Sequence, residues 1–400
     1  MNEGIDEMLD LGGTYRAVSP EETLDKIVPM LWPIFGITRV ANITGLDDLN
    51  IPTYIAIRPD SKILSTAQGK GVTHELAKIS AIMESIESWH AERLLPPKLF
   101  GCYRQLCKQH SMIAPEDLVN GNFGFTLDAL QQKELAWSSG VELNTGKEIY
   151  FPSSLIDLDS HILNDNRLGC FPATSNGLAS GNSLDEAICH GIFEVIERHC
   201  WALAEHSAPR YIDSATIKAT HLLALLNKAN SDSIQFKICE LTTELGVPAY
   251  SAVLFDRRGT RQLDFFIGAG AHLSSVVALS RAVTEAIQSR LTMISGSRDD
   301  IFPANYQFKK KFTRNDTAGF HSKHQAAFVE TKVPDDFTRC IDELLQRLKQ
   351  QGFEQVIVYN HTRSELGIPV VHVIIPGMAF DWFKHKTQAY VPDFFCEHAR

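Results

Sequence analysis

Three stretches of this 400-residue chain share one template, and that repetition constrains the fold more than any other feature. In register they read Ser80-Ala81-Ile82-Met83-Glu84-Ser85-Ile86-Glu87-Ser88, His190-Gly191-Ile192-Phe193-Glu194-Val195-Ile196-Glu197-Arg198 and Arg281-Ala282-Val283-Thr284-Glu285-Ala286-Ile287-Gln288-Ser289. Each offers a polar residue, a small one, a Glu, and then Glu or Gln three positions on, over an apolar back with helical spacing. Each also follows a glycine-bearing turn: Gly69-Lys70-Gly71, Gly177 with Gly181, and Gly268 with Gly270. The copies lie 110 and 91 residues apart, too far for a short solenoid period. They are therefore read as pseudo-equivalent strand-turn-helix units around one centre. A coincidence among ordinary amphipathic helices is the competing reading, and the spacing alone leaves it open.

The rest of the chain fits an α/β architecture, with strands and long helices alternating. Ser19, Pro20 and Glu22 form a capping signature ahead of a helix. YIAIRP is a strand candidate, and THELAKISAIMESIESWHAERLL is a helix stopped by Pro96-Pro97. Residues 98–170 mix strand and turn signals and read as an insertion. A helix is expected near 216–245, strands at AYSAVLFD and LDFFIGAGA, and the third long helix at 275–294. A helix near 335–350 and strands QVIVYNH and PVVHVIIP complete the pattern. We expect residues 1–60 to be an N-terminal segment whose helix contributes to the site, and 61–395 to form the main domain.

Composition narrows the function classes. With 44% hydrophobic and 22% charged residues the chain has ample material for a core. The start MNEGIDEMLDLGG lacks the basic flank and apolar run of a signal peptide, and no stretch reaches the roughly 18 apolar residues of a membrane span. The cytoplasm is the expected compartment, with no membrane partner. Eight cysteines without a CxxC or zinc spacing read as free, mostly buried thiols. A net charge of −10 with no clustered basic face argues against nucleic acid.

On the second helix, Glu186, His190, Glu194, Glu197 and Arg198 fall within one arc of about 120° at about 100° per residue. Ile188, Cys189, Ile192, Phe193, Val195 and Ile196 fill the far side. A solvated surface face has the same wheel, so one helix decides nothing. If three such arcs converge, however, about six carboxylates face each other, and like charges cannot all stay ionised without a cation. Mg²⁺ suits that donor set and is usually shared with substrate phosphates. Arg198, Arg281 and Lys70 can then take phosphate oxygens. This would be a nucleotide site without a P-loop, since GxxxxGK[ST] is absent and GxGxxG fails at Leu273. HExxK at His74 lacks the second histidine of a zincin, and no GxSxG elbow occurs.

At these residues the chain resembles the YcaO family, ATP-dependent enzymes that activate peptide backbone amides. The resemblance runs from about Arg16 to near Pro376 and is carried by YRAVSPEET, GKGVTHELAKISAIMESIE, SNGLASGNSLDEAICHGIFEVIER and SRAVTEAIQSR. It implies ATP and Mg²⁺ ligands at Glu84, Glu87, Asn182, Glu186, Glu194, Glu197, Arg198, Arg281 and Glu285, joined by Arg16 and Thr23; Lys70 and Ser80 complete the candidate set. Of these, Glu84, Glu87, Glu186, Glu194, Glu197 and Glu285 are the candidate metal ligands. The implied reaction is O-phosphorylation of an amide followed by addition of a nucleophile. A side chain gives an azoline; sulfide gives a thioamide. Azoline-forming members end in a PxPxP tail, whereas this chain ends PDFFCEHAR with Pro392 alone. GITRVANITGLDDLNIPTY and GIPVVHVIIPG look most like the branch that works with a TfuA-like partner, which implies a thioamide. The expected partners are thus a peptide or protein substrate and a TfuA-like or E1-like protein, with a homodimer allowed. Ser88 stands where many members carry Arg, which leaves one phosphate contact weaker or assigns it to Arg93. A non-catalytic module that binds ATP or a partner is the remaining alternative.

Overall fold

The computed structural model describes residues 8–118, 126–160, 171, 173–204, 210–229, 234–256, 265–303, 306 and 325–379. Cys170, Cys396 and the tail with Pro392 lie outside them. A hairpin of β1 (Leu9–Asp10) and β2 (Tyr15–Arg16) precedes α1 (Pro20–Ile27). Helix α1 starts at the expected capping box, in which Ser19 and Glu22 satisfy each other's backbone N–H groups. Strands β3 (Arg39–Asn42), β4 (Thr53–Ile57) and β5 (Thr66–Lys70) make a three-stranded antiparallel sheet leading into α2 (His74–Ala91).

Next come β6 (Leu99–Cys102), the short helices α3 (Tyr103–Leu106), α4 (Pro115–Leu118) and α5 (Leu127–Gln132), and strands β7 (Glu134–Glu142) and β8 (Glu148–Pro152). The middle of the chain holds β9 (Leu178–Ser180), α6 (Leu184–Ala204), β10 (Arg210–Asp213), α7 (Thr220–Ala229), β11 (Ile234–Glu240), β12 (Ala249–Asp256), β13 (Phe265–Ala271) and α8 (Ser275–Ser295). The two-residue β14 (Ala326–Ala327), α9 (Phe337–Gln350), β15 (Ile357–Asn360) and β16 (Val370–Ile374) follow. A five-stranded sheet runs β13-β12-β11-β10-β14, and a six-stranded sheet runs β6-β7-β15-β16-β9 with β8 beside β7.

The fold is α/β, as the pattern predicts, with one correction in the middle. The single helix expected near 216–245 is two elements, α7 and β11. IQFKICE pairs along its whole length with β12 instead of continuing a helix. The segment read as an insertion joins the main body, because β7 pairs with β15 through Ile357 opposite Glu142 and Val358 opposite Val141.

Helix α6 buries its predicted apolar back. Ile192, Phe193 and Ile196 pack with Val253 of β12, Leu344 of α9 and Val371 of β16. Helix α8 does the same against Leu222 and Leu225 of α7 and Leu254 of β12. Full burial of a side chain such as Ile192 stabilises by roughly 1.5–3 kcal/mol.

All three template copies form strand-turn-helix units: β5–α2, β9–α6 and β13–α8. Each helix starts at a hydroxyl cap, where Thr73, Ser183 and Ser274 accept from the backbone N–H of Leu76, Glu186 and Val277. Strand and helix touch through small residues at matching positions. A Cβ on Gly69 would lie 2.0 Å from the Ala81 nitrogen, and one on Gly270 would lie 2.1 Å from the Ala278 oxygen. Only glycine permits that approach.

Candidate functional site

The units close on one another cyclically: α2 packs on β9, α6 on β13 and α8 on β5. The second acidic position of the template bridges each joint. Glu87 Oε1 accepts from the backbone N–H of Ser180 at 2.8 Å and from its hydroxyl at 2.6 Å. Glu197 Oε2 accepts from Ala271 N–H at 3.2 Å, and Ala271 stands as far before its cap as Ser180 does. The third member is an amide, and Gln288 Nε2 donates to the Gln68 carbonyl at 3.5 Å. The first acidic positions, Glu84, Glu194 and Glu285, point into the cleft between the units.

That cleft has a volume of about 440 Å³, and every residue singled out from the sequence lines it: Arg16, Thr23, Lys70, Ser80, Glu84, Glu87, Asn182, Glu186, Glu194, Glu197, Arg198, Arg281 and Glu285. The N-terminal segment brings in two of them. Arg16 NH1 lies 3.5 Å from Glu186 Oε1, and Thr23 Oγ1 donates to Asn182 Oδ1 at 3.0 Å. Glu186 Oε2 in turn accepts from the Ala17 and Asn182 N–H groups, both at 3.1 Å. Lys70 Nζ pairs with Glu285, and Arg198 NH2 approaches Glu194 Oε1 at 3.5 Å. Five of the six carboxylates, all but Glu84, thus have a protein donor named above. Among the described residues, no three His, Cys, Asp or Glu side chains close around a common point as a ready metal cage.

Electrostatics favours an added cation all the same. Burial pushes Glu87 up to about 8, aided by the charges of Glu84 and Glu194 and opposed by the Ser180 hydrogen bonds. Burial likewise pushes Glu194 to about 7, with Arg198 and Arg281 resisting and Glu197 and Glu285 assisting. Glu84 and Glu197 are raised for the same first reason. Burial acts upward on Glu285 too, but Lys70, Arg198 and Arg281 outweigh it and hold that carboxyl below the ordinary range. Acids held near neutrality by burial and by each other gain most from a divalent ion. The cleft also holds buried donors with no acceptor among the described residues, the Nε of Arg198 and of Arg281. Unmatched guanidinium N–H groups suit phosphate oxygens. The donor set therefore fits a magnesium-bound phosphate ligand.

Four cleft residues escaped assignment. His190 lies on the predicted polar arc between Arg16 and Arg281, and burial followed by those charges keeps its ring neutral. Gln288 sits in register with Glu87 and Glu197, so the template could have flagged it. Arg58 and Arg298 also line the cleft, from outside the template, and no motif marks them. The stand-in for the missing arginine at Ser88 needs correction: Arg93 donates to the Trp89 carbonyl and Glu92, its guanidinium 4.7 Å from the Trp89 ring, and does not line the cleft.

A cleft walled by glutamates from three related helices, with arginines between them, defines a binder of metal-bound phosphate. Comparison with known proteins agrees. Residues 68–379 match the family described as YcaO cyclodehydratase, ATP- and Mg²⁺-binding. The chain is 33% identical over 391 residues to a protein in the tfuA 3′ region of Rhizobium leguminosarum bv. trifolii, covering 92% of this chain and 89% of that one. The YcaO from Methanopyrus kandleri, solved with AMPPCP and Mg²⁺, has the same fold at 23% identity and a TM-score of 0.72, covering 94% of this chain and 95% of that one. A heterocyclase in complex with substrate and cofactor gives a TM-score of 0.75 at 22% identity over 94% of this chain, which spans only 55% of that longer protein. This chain belongs to the YcaO family of ATP- and Mg²⁺-binding proteins. Six cysteines among the described residues are free and all but Cys107 are buried, as expected. No helix among the described residues is long and apolar enough to cross a membrane.

Proposed function

We propose that this protein uses ATP to phosphorylate a backbone amide oxygen of a peptide or protein, and that sulfur then replaces that oxygen to leave a thioamide. The observation that carries the proposal is the meeting of Glu84, Glu194 and Glu285, from three distant segments, in one cleft with Arg198, Arg281 and Lys70. In the first step the bond from the γ-phosphorus to the ADP oxygen breaks and a bond to the amide oxygen forms. Hydrosulfide then adds to the activated carbon, and phosphate leaves with the former amide oxygen and the hydrosulfide proton. Bound Mg²⁺ supplies neutralisation of the triphosphate charge.

The protein's own groups hold and orient. Glu84, Glu87, Glu186, Glu194, Glu197 and Glu285 are the candidate cation ligands. Arg16, Arg198, Arg281 and Lys70 offset phosphate charge, while Thr23, Ser80 and Asn182 supply neutral contacts. Resemblance to the protein in the tfuA 3′ region favours the thioamide product and a TfuA-like partner that delivers sulfur. The second reading, azoline formation from Cys, Ser or Thr side chains with an E1-like partner, is favoured by the cyclodehydratase description of the matched family.

The test is the mass of the product. Full-length protein, MgATP, sulfide, the TfuA-like protein and a precursor peptide should release ADP and exchange one oxygen for sulfur. Loss of one water instead establishes the azoline route. ADP release that Glu194→Ala and Glu197→Ala both leave unchanged ends the proposal.

A further inference from the structure

The three template helices do not make equal walls. Helix α6 contributes Glu186, Glu194 and Glu197, and α2 contributes Glu84 and Glu87. Helix α8 offers Glu285 and then only Gln288 and Ser289. Beyond Glu285 it places no carboxylate in the cleft, so of the three helical walls this is the one where an anionic group in transit meets least repulsion. The position after the second acidic residue is Arg198 on α6 but Ser88 and Ser289 on the other two helices, so α2 and the half of α8 beyond Glu285 place no arginine in the cleft lining.

A loop supplies one. Gly296 ends α8 in the left-handed conformation at φ 60°, its N–H donating to the Thr292 carbonyl, and turns the chain back. The loop is then tied to the start of β5. Asp299 accepts from the Ser65 N–H at 2.6 Å and its hydroxyl at 2.9 Å, and Thr66 Oγ1 donates to the Ser297 carbonyl at 3.4 Å. Asp300 clamps Arg298 through Nε at 2.9 Å and NH2 at 2.6 Å. These two bonds use two of the five guanidinium N–H groups, and among the described residues NH1 has no hydrogen-bond partner. The side chain is 22% exposed and lines the cleft, and its charge opposes the upward push of burial on Glu84. A loop staple is the plainer reading of the Arg298–Asp300 pair. The Asp299–Ser65 bonds already fasten this loop, however, and a staple has no need to present its cation to a phosphate cleft.

Resting on the function proposed above, we infer that Arg298 is a catalytic residue at the acceptor end of the cleft, contacting the phosphoryl group as it passes from ATP to the amide oxygen. Gln288 lies on the same wall as a neutral donor, and Ile63 and Leu64, just ahead of the Ser65 that holds the loop, add apolar lining for a peptide beside it. Because Asp300 holds the guanidinium in place beforehand, stabilising the transferring charge needs little reorganisation.

The test separates ground-state from transition-state binding and needs no peptide. Wild type, Arg298→Ala and Arg298→Lys are titrated with AMPPCP–Mg²⁺ and with ADP–Mg²⁺–aluminium fluoride, a mimic of the phosphoryl group in flight, and thermal midpoints check folding. Arg298→Ala should bind AMPPCP–Mg²⁺ within about threefold of wild type but lose about 100-fold or more in affinity for the fluoride complex. Arg298→Lys should recover only part, since a point charge does not replace a planar fork. Equal losses for both ligands, or no loss for the fluoride complex, overturn the inference. If Glu194→Gln leaves AMPPCP–Mg²⁺ binding intact, the functional reading fails instead.

Discussion

Helix α2 borders two places where titratable side chains are buried, and they are built in opposite ways. Glu84 and Glu87 face the cleft, where carboxylates are mixed with arginines and lysine and open to a ligand. Near the end of the same helix, His90 is enclosed near His361, which packs beside His372; the last two rings are 6.0 Å apart. Their other partners are backbone carbonyls: His90 Nδ1 donates to Ile86 at 2.8 Å and His372 Nε2 to Asn176 at 3.0 Å. His90 Nε2, His361 Nε2 and His372 Nδ1 have no hydrogen-bond partner among the described residues. An imidazole can discard its charge on burial and remain neutral, whereas a carboxylate cluster that does so stops attracting cations. The cleft sacrifices stability of the free protein for binding, while the histidine group sacrifices only its tolerance of acid.

The largest effect that sharpens this contrast is at the cleft. Glu197→Gln keeps an acceptor for Ala271 but removes a charge, so AMPPCP–Mg²⁺ affinity should fall about 100-fold while the free protein keeps or raises its thermal midpoint. Calorimetric titration and a thermal melt on the same sample check both halves.

The histidines predict a pH signature. Burial lowers His90 and His372 to about 4 in the folded chain. The unfolded chain, with histidine near 6.5, takes up these protons first. Their influence is therefore absent above about pH 6.5 and destabilises progressively down to about 4, by up to about 3 kcal/mol per histidine. Denaturant titrations across that window should show a shallower loss for His372→Asn than for wild type.

The strand contacts give a comparable effect by another cause. Gly270→Ala pushes a Cβ into the Ala278 carbonyl, at a cost of about 2–3 kcal/mol, whereas Ala179→Gly on the equivalent strand of the middle unit costs about 1 kcal/mol or less. Chemical denaturation of both variants tests whether the three units are built alike. The smallest effect is Thr23→Val, which removes the hydroxyl bonded to Asn182 at 3.0 Å and should cost about 1 kcal/mol in urea melts.

The acidic walls of the cleft were readable in advance because they sit on helices with a fixed period, so registering one copy against another aligned them without knowledge of the fold; Arg16 and Thr23, outside the template, came only from the family resemblance. The same regularity marked the glycines ahead of each helix, whereas the caps at Thr73, Ser183 and Ser274 emerge only from the structure. What escaped has no period. Arg298 reaches the cleft from a loop whose course depends on a left-handed glycine and on Ser65, distant in sequence. Of the two alternatives at Ser88, Arg93 drops out because proximity along the chain says nothing about which side of a helix end a long side chain takes. Strand β11 was merged into a helix because IQFKICE declares itself only through its pairing with β12, which no local pattern encodes.

The central claim is that carboxylates from three separate units share one magnesium-nucleotide site. Titrating AMPPCP into Glu84→Gln, Glu194→Gln and Glu285→Gln, each with and without Mg²⁺, tests it most directly. The account predicts Mg²⁺-dependent binding in the wild type and a weakened, less Mg²⁺-dependent binding in all three variants. Wild-type affinity in all three, or binding indifferent to Mg²⁺, contradicts it.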